Sequence, residues 1–472
     1  MLRRLRLATL CLFIFSGCAA YDTVETVTPE VLDGFRAELD EMIPALLEAY
    51  AVPAAAVGII HDGEVWAVLP YGLSDVESGT AVTDEHAFNI GSISKTVASW
   101  GVMKLVESGD LDLDTPASDY LMRWQLPQSE FDHDQVTVRR MLSHTAGLSL
   151  SGYPGFQPGE DLPSVEESLS GATNGPGGVF VAHEPGSKWQ YSGGGYTVTQ
   201  LIVEEITGQS FPEYMEAEVL RPLGMMSSSY VWDDETDRIA ATPYDGAGDP
   251  IGGPRFTAMA AASLTTTLND FLRFALASTG RLGGEEGTEG VLKWETVQSM
   301  QVPVSPSDDY GLGHMLTNNG GVRLAGHGGS NEGWMARLWV APDSGHGIVT
   351  MTNGSGGGHV NNVIECLWQA RITGEACRPA PEVPRQVDES VLRGYEGEYQ
   401  LRDVVITLEV RDGRLLGMRP NRRPLTLIPR GETSFRIQRI VDVEFELDDA
   451  GRALAFEWKE YGEEPVRAPR ID

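Results

Sequence analysis

Cysteine, basic charge and long apolar runs are all scarce in this chain. Four Cys among 472 residues exclude a disulfide-dense scaffold and leave too few thiols for a cysteine-rich metal site. Lys and Arg number 35 against 68 Asp and Glu, a net charge of −33. Nucleic acid and anionic membrane surfaces attract basic patches, so neither is an expected partner. The nine His are scattered, with no H-E-x-x-H pattern, and we predict no metal and no organic cofactor.

The residues that are present predict a folded protein with more than one domain. Hydrophobic residues make up 41% of the chain, and 472 residues exceed one compact core. Residues 378–472 hold 16 basic and 19 acidic side chains, whereas residues 18–377 hold 16 and 49. The change falls at the proline-containing stretch 378–385, which we interpret as a linker. The predicted domains are therefore 29–377 and 386–472.

Residues 1–18 are typical of an export signal. Three Arg in the first six residues precede the apolar run 7–15, which is too short to span a bilayer. Phe15-Ser16-Gly17-Cys18 resembles the bacterial lipoprotein processing box, in which Cys18 would carry the lipid. Ordinary signal-peptidase cleavage after Ala20 is the alternative. The favoured interpretation is a periplasmic protein anchored to the outer membrane through Cys18, with no other membrane contact.

Two of the cysteines lie close together near the end of the first domain. Export exposes thiols to oxidising conditions. Cys366 and Cys377 are eleven positions apart and could close a small loop. Two free buried thiols are the alternative.

The hydrophobic patterns predict an α+β body followed by an all-β domain. Residues 28–50 have the periodicity of an amphipathic helix, and further helices are predicted at 197–207 and 211–220. Strands are predicted near both ends of the body, at 54–60, 64–69, 322–325, 334–341 and 347–352. Beyond residue 385, short β-prone runs at 404–410, 425–428, 434–437, 443–447 and 453–458 predict a small antiparallel barrel or sandwich.

Ser92-Ile93-Ser94-Lys95 opens a predicted helix that ends at Gly109. A spacing of three places Ser92 and Lys95 one turn apart on the same side, so the amine can approach the hydroxyl. Unpaired backbone N–H groups at a helix start can also hold a developing oxyanion. Taken alone, this tetrapeptide is as well explained by a capping Ser followed by an exposed Lys.

Two later motifs change that interpretation. Tyr191-Ser192-Gly193 lies in a glycine-rich turn, and His327-Gly328-Gly329-Ser330 lies just before the strand from Trp334. Ser-x-x-Lys, Tyr-x-Asn and then Lys-Thr-Gly or His-x-Gly, in that order, mark the serine β-lactamase-like family of class C β-lactamases, DD-peptidases and esterases. From residue 31 to 377 the chain resembles this family, with supporting segments at 141–148 and 221–225. The C-terminal domain resembles the lipocalin-like domain often found after such hydrolases.

The resemblance implies a fold and a set of roles. It implies an antiparallel sheet flanked by helices, with a helical subdomain. Ser92 would be the acylated nucleophile, and Lys95 and Tyr191 would together take its proton. The backbone N–H groups of Ser92 and Ser330 would form the oxyanion hole. His327 would orient Tyr191 and the substrate. Apart from the resemblance, we expect His144 to be a structural residue that packs near the site.

The substrate-binding positions depart from the family pattern. Gly193 stands where the family often has an amide-binding Asn, and His327, with Gly328 and Gly329, replaces Lys-Thr-Gly. Without that Lys, and within an acidic body, attraction for anionic β-lactams is weak. We therefore expect a serine hydrolase that cleaves a small-molecule or peptide ester or amide. A penicillin-binding DD-peptidase or β-lactamase is the first alternative. A non-catalytic cell-wall binding protein with the same fold is the second.

Overall fold

The described part of the molecule contains the larger body and most of the C-terminal domain. A computed structural model describes residues 29–282, 291–377, 384–420, 424–437, 441–460 and 464–472. The predicted export signal, with Cys18, and most of the predicted linker 378–385 lie outside the described residues. Within the described ranges, no helix has both the length and the apolar character needed to cross a bilayer.

A seven-stranded antiparallel sheet forms the centre of the larger body. Its strands are β1 (Ala54–His61), β2 (Glu64–Asp75), β3 (Thr80–Ala81), β6 (Met315–Asn319), β7 (Val322–Asn331), β8 (Trp334–Ala341) and β9 (His346–Thr352), in the order β3-β2-β1-β9-β8-β7-β6. A separate ribbon pairs β4 (Ala87–Asn89) with β5 (Thr265–Thr267). The sheet therefore joins strands from both ends of the body, as the sequence predicts.

Helices cover both faces of the sheet and fill the middle of the body. They are α1 (Pro29–Ala49), α2 (Ser94–Ser108), α3 (Val138–Leu142), α4 (Val165–Ser170), α5 (Gly193–Thr207), α6 (Phe211–Met215), α7 (Asp234–Ile239), α8 (Met259–Ala262), α9 (Leu268–Ser278), α10 (Trp294–Met300) and α11 (Gly357–Thr373). Helices α1 and α11 pack on one face, and α9 packs on the other. This is the α+β architecture that the sequence predicts.

Strand β1 is apolar along almost its whole length because it is buried on both faces. Ala55, Val57 and Ile59 belong to the core beneath α1 and α11. Ala56 belongs to the larger core on the opposite face. A β-carbon on Gly58 would lie 2.7 Å from Leu272 of α9, so this glycine lets the helix approach the sheet closely. The helix that begins after Ser92 packs into the core on the α9 side.

The C-terminal domain is an antiparallel barrel of eight strands. They are β10 (Gly397–Leu401), β11 (Val404–Arg411), β12 (Arg414–Met418), β13 (Leu425–Pro429), β14 (Ser434–Ile437), β15 (Val441–Leu447), β16 (Ala453–Glu460) and β17 (Val466–Pro469), paired in chain order after the short helix α12 (Glu389–Leu392). The Ile471 amide donates to the Glu398 carbonyl at 2.8 Å, which nearly closes the barrel. Inside, Tyr395 stacks on Phe445 at 4.3 Å.

The barrel is attached to the larger body by side-chain and backbone contacts. Arg414 donates to the Glu48 carbonyl at 3.1 Å, and Arg411 pairs with Asp249 at 2.9 Å. The Thr426 hydroxyl donates to the Gly246 carbonyl. Ile428 joins the core beneath α1 and α11. These contacts lie on the α1 side of the body and on the loop 246–249, whereas Ser92 lies on the α9 side.

A disulfide joins Cys366 of α11 to Cys377. Their Cα atoms are 5.5 Å apart. Of the two arrangements that the sequence leaves open, the structure contains the bridge. It ties the end of the larger body back to its last helix.

Asn353 connects three neighbouring strands, and its loss should weaken the sheet. Its side-chain oxygen accepts from the Ala54 amide at 2.7 Å, and its nitrogen donates to the carbonyls of Leu73 and Ser74. We expect Asn353→Ala to lower the free energy of unfolding by about 2 kcal/mol, because it leaves buried backbone groups unpaired. Denaturant titration measures this. Exposed Asn269→Ala is the control, expected within about 0.5 kcal/mol of wild type; equal losses would contradict the prediction.

Candidate active site

Ser92 lies in a tight turn immediately before α2. Residues Gly91–Ile93 form one turn of 3-10 helix, and Gly91 has a φ of +54°. The Ser94 hydroxyl donates to the Gly91 carbonyl at 2.6 Å and accepts from the Leu264 amide at 2.9 Å. These bonds fix the turn, so that the partly exposed Ser92 sits at the positive end of the helix dipole.

Lys95 points back at Ser92 from the first turn of α2. Its side chain is 2% exposed. The Nζ atom lies 3.2 Å from Ser92 Oγ and donates to the Ala261 carbonyl at 2.6 Å. Burial lowers the pKa of Lys95 to about 7, because desolvation disfavours the charged amine. The spacing of three thus brings the two groups together, as the sequence predicts.

Tyr191 is held beside them by the turn that leads into α5. Its ring centroid is 5.0 Å from Lys95 Nζ, and its buried hydroxyl has no hydrogen-bond partner among the described residues. Burial raises the pKa of the Tyr191 phenol well above its usual range and outweighs the opposite effect of the Ser92 hydroxyl, which is near the phenol but outside hydrogen-bond geometry. The Ser192 hydroxyl caps α5 by accepting from the Gly195 amide at 2.9 Å, which sets the position of Tyr191.

Strand β7 passes directly against the Ser92 turn. A β-carbon on Gly329 would lie 1.9 Å from the Ile90 carbonyl oxygen, and one on Gly91 would lie 2.6 Å from the Ser330 nitrogen. Only glycine at both positions allows the two backbones to approach this closely. The turn that contains Ser92 and the end of β7 that contains Ser330 are therefore in contact, which is the arrangement that the predicted oxyanion hole requires. Residues 327–330 precede the strand from Trp334, as predicted, and they also form the end of β7, which extends beyond the predicted strand 322–325.

His327 is a neutral, buried group in this arrangement. Its Nδ1–H donates to the Gly328 carbonyl at 2.6 Å, so Nε2 accepts from the Tyr310 hydroxyl at 3.0 Å. Burial, with a smaller contribution from Lys95, lowers the pKa of His327 to about 3. Its ring lies 6.1 Å from that of Tyr191. Both ring nitrogens are thus used within the protein, and His327 reaches Tyr191 by ring packing instead of a hydrogen bond.

The glycines predicted to contact substrate have little free space beside them. A β-carbon on Gly193 would lie 3.2 Å from the Ser151 carbonyl oxygen and 3.4 Å from the Tyr153 ring. One on Gly328 would lie 2.4 Å from the Arg337 guanidinium. Neighbouring groups therefore crowd the positions where the family carries polar side chains.

Several aromatic residues of the site belong to none of the sequence motifs, so the sequence gives no sign of their position. Tyr310 and Trp189 lie 4.8 Å and 6.0 Å from the His144 ring. Trp189 is 39% exposed and forms an open aromatic edge beside Tyr191. His144, expected near the site, accepts from the Ser192 amide at 3.1 Å, and its φ of +59° is unusual for a non-glycine residue.

A sequence profile of the family described as Beta-lactamase matches residues 39–364. The chain belongs to the beta-lactamase family. Within this family it is 28% identical to penicillin-binding protein 4 of Amycolatopsis lactamdurans over 385 residues, which is 77% of this chain and 98% of that one. It is 29% identical to esterase EstB of Burkholderia gladioli over 226 residues, covering 46% of this chain and 56% of the esterase.

Solved structures of other proteins share the fold of this chain. The penicillin-binding protein homologue from Pyrococcus abyssi matches with a TM-score of 0.61 and 23% identity, covering 92% of this chain and 99% of that one. The D-alanine carboxypeptidase AmpC from Burkholderia cenocepacia matches with a TM-score of 0.57 and 21% identity, over 71% of this chain and 99% of that one. Within the described residues, no group of three or more His, Cys, Asp or Glu could hold a metal ion.

Gly91→Ala tests the close approach of the two backbones in this beta-lactamase family site. The added methyl group would collide with the Ser330 nitrogen, so we expect Ser92 to react with a fluorophosphonate at least about tenfold more slowly. Gly79→Ala is the matched control, because Gly79 has a φ of +69° and open space around it. It should lose only about 1 kcal/mol of stability. Unchanged labelling of the Gly91 variant would contradict this account.

Proposed function

We propose that this protein is a serine hydrolase that forms a covalent acyl-enzyme on Ser92 and cleaves an ester or amide. One observation carries the proposal: Ser92 Oγ lies at a helix start, 3.2 Å from a buried Lys95 amine whose pKa is about 7. A neutral amine at this distance can accept the hydroxyl proton and activate the oxygen for attack.

The proposed first step is attack of Ser92 Oγ on the substrate carbonyl carbon. The proton of the hydroxyl passes to Lys95, and the carbonyl oxygen becomes an oxyanion. The Ser92 and Ser330 amides would donate to that oxyanion, since the glycine contacts hold both backbones at one point. Stabilisation of the developing negative charge by fixed N–H groups is commonly the largest contribution to such a reaction.

The second step needs a proton for the leaving group. Tyr191 suits this role, because burial keeps its phenol protonated and its hydroxyl has no partner among the described residues. The phenol proton would go to the leaving oxygen or nitrogen as the bond to carbon breaks, and Lys95 would return its proton to Tyr191. Water then hydrolyses the acyl-enzyme by the same groups in reverse.

The proposed substrate is neutral or cationic. The neutral, buried His327 provides no positive charge where the family has Lys, and the whole chain carries −33. The exposed edge of Trp189 beside Tyr191 would favour an apolar group on the substrate. The esterase relative supports ester cleavage. The penicillin-binding relative, matched over 98% of its length, favours a penicillin-binding peptidase as the second candidate.

We also propose that the protein is exported and lipid-anchored through Cys18, its site in the periplasm. The Cys366–Cys377 bridge supports an oxidising compartment. A purely cell-wall binding role is less favoured, since such a role does not require the contact between Ser92 and Lys95.

Covalent labelling tests the enzyme proposal. We expect a fluorophosphonate to add one label to wild type and none to Ser92→Ala, because only the activated hydroxyl reacts. A panel of aryl esters, D-amino-acid amides and cephalosporins should then show higher kcat/KM for neutral esters than for cephalosporins. Ser108→Ala, which removes an exposed hydroxyl at the far end of the same helix, is the matched control and should keep its label. Equal labelling of wild type and Ser92→Ala would refute the proposal.

The pH dependence of turnover reports on Lys95. Because the amine must be neutral, we expect kcat/KM to fall as the pH drops through about 7, by about tenfold for each further unit. Lys95→Arg keeps a protonated group at every accessible pH and should be inactive throughout. Lys104→Arg, on the same helix, should preserve the wild-type profile. An acid limb centred above pH 9 would show that the Lys95 amine keeps its ordinary pKa, and a Lys95→Arg variant with wild-type turnover would show that the amine is not the base.

A further inference from the structure

The two proposed oxyanion donors belong to segments that are distant in sequence. Ser92 follows the end of β4, whereas Ser330 is the next-to-last residue of β7. Donors of this kind act only when their separation matches one oxygen atom, so an error of about 1 Å removes most of their effect. Glycine contacts permit the approach of the two segments, but contact alone does not fix their register.

Asn89 fixes the first segment. It is the last residue of β4, and its side chain is 3% exposed. Its side-chain oxygen accepts from the Gly91 amide at 2.9 Å, which holds the turn that presents the Ser92 amide. Its side-chain nitrogen donates to the Ser263 carbonyl at 3.1 Å.

Asn331 fixes the second segment to the first. It is the residue directly after Ser330 and ends β7. Its side-chain nitrogen donates to the Asn89 side-chain oxygen at 2.6 Å and to the Ala262 carbonyl at 2.9 Å. Ala262 follows Ala261, whose carbonyl accepts from Lys95. One hydrogen-bond network therefore connects the Ser92 turn, the end of β7 and the backbone that holds Lys95.

The chemistry of the amide group explains why both positions carry Asn. The Asn89 oxygen uses its two acceptor sites for Gly91 and Asn331, while its nitrogen serves as a donor. Asn331 must present two N–H donors to two oxygens. A carboxylate or hydroxyl at position 331 cannot supply both donors.

We propose that Asn89 and Asn331 are positioning residues that set the separation of the Ser92 and Ser330 amides. The inference rests on the proposed hydrolase function and on the role of these amides as the oxyanion hole. Neither side chain touches the reacting atoms. Their effect is on the transition state, where the oxyanion exists, more than on substrate binding.

The test compares Asn89→Ala, Asn331→Ala and the double variant with wild type, using an activated aryl ester and a phenylboronic acid, which forms a tetrahedral adduct on serine. We expect each single variant to lower kcat about a hundredfold, with KM changed less than about twofold. Boronate affinity should fall in parallel with kcat. The kcat of the double variant should lie within about threefold of the kcat of the less active single variant, because both residues belong to one hydrogen-bond network.

Asn353→Ala is the matched control, since it also removes a buried Asn with three bonds to the protein. It should lose stability but keep kcat and boronate affinity. Asn331→Asp retains the side-chain volume at position 331 but replaces the two N–H donors by an acceptor oxygen. It is the substitute variant if Asn331→Ala does not fold, and its loss of kcat should match the loss expected for Asn331→Ala.

The outcomes separate the two proposals. If wild type shows no Ser92-dependent label or turnover, the hydrolase function fails and this inference fails with it. If wild type is active but the Asn89 and Asn331 variants lose no more kcat than Asn353→Ala, only the positioning role is overturned. Losses that multiply in the double variant, or that appear in KM alone, also overturn it.

Discussion

The burial of one amine determines the character of the site. Lys95 is enclosed by helices and its Nζ contacts the Ala261 carbonyl and the Ser92 hydroxyl, so desolvation lowers its pKa. The same buried surroundings raise the pKa of the Tyr191 phenol and lower that of the His327 imidazole. The side chains around Ser92 therefore favour their neutral forms, and the proposed chemistry depends on proton transfer and not on ion pairing.

Local signals in the sequence predict local features of this structure. The helix after Ser92 begins and ends as its pattern indicates, with Gly109 in the left-handed conformation after α2. The order of the three motifs predicts which segments meet, because it matches a family. Contacts between distant segments had no such signal: nothing about Asn89, Tyr310 or Asn331 in isolation indicates that they face the site. Their roles arise from register between strands and turns that only the folded chain defines.

The barrel also contains strands that the sequence indicates and strands that it does not. Five of its strands coincide with the predicted β-prone runs, whereas β10, β12 and β17 lie outside them. Strand β10 begins with Gly397, β12 contains Gly417 and β17 contains Pro469, so none of the three is distinctive as a pattern. These segments form strands because they pair with the unpaired backbone N–H and C=O groups at the edges of neighbouring strands. The difference in charge between the two parts of the chain, by contrast, is a property of composition and is visible without any structure.

The bridge between Cys366 and Cys377 has a mechanical meaning. Residue 377 is the last described residue before the chain continues toward the barrel, and the covalent bond fixes it to the middle of α11. A force applied through the C-terminal domain would pass from Cys377 into α11 at Cys366, and the last turn of the helix would not be peeled away. Helix α11 covers one face of the sheet. The bridge therefore helps to keep this helix intact when the C-terminal domain is pulled.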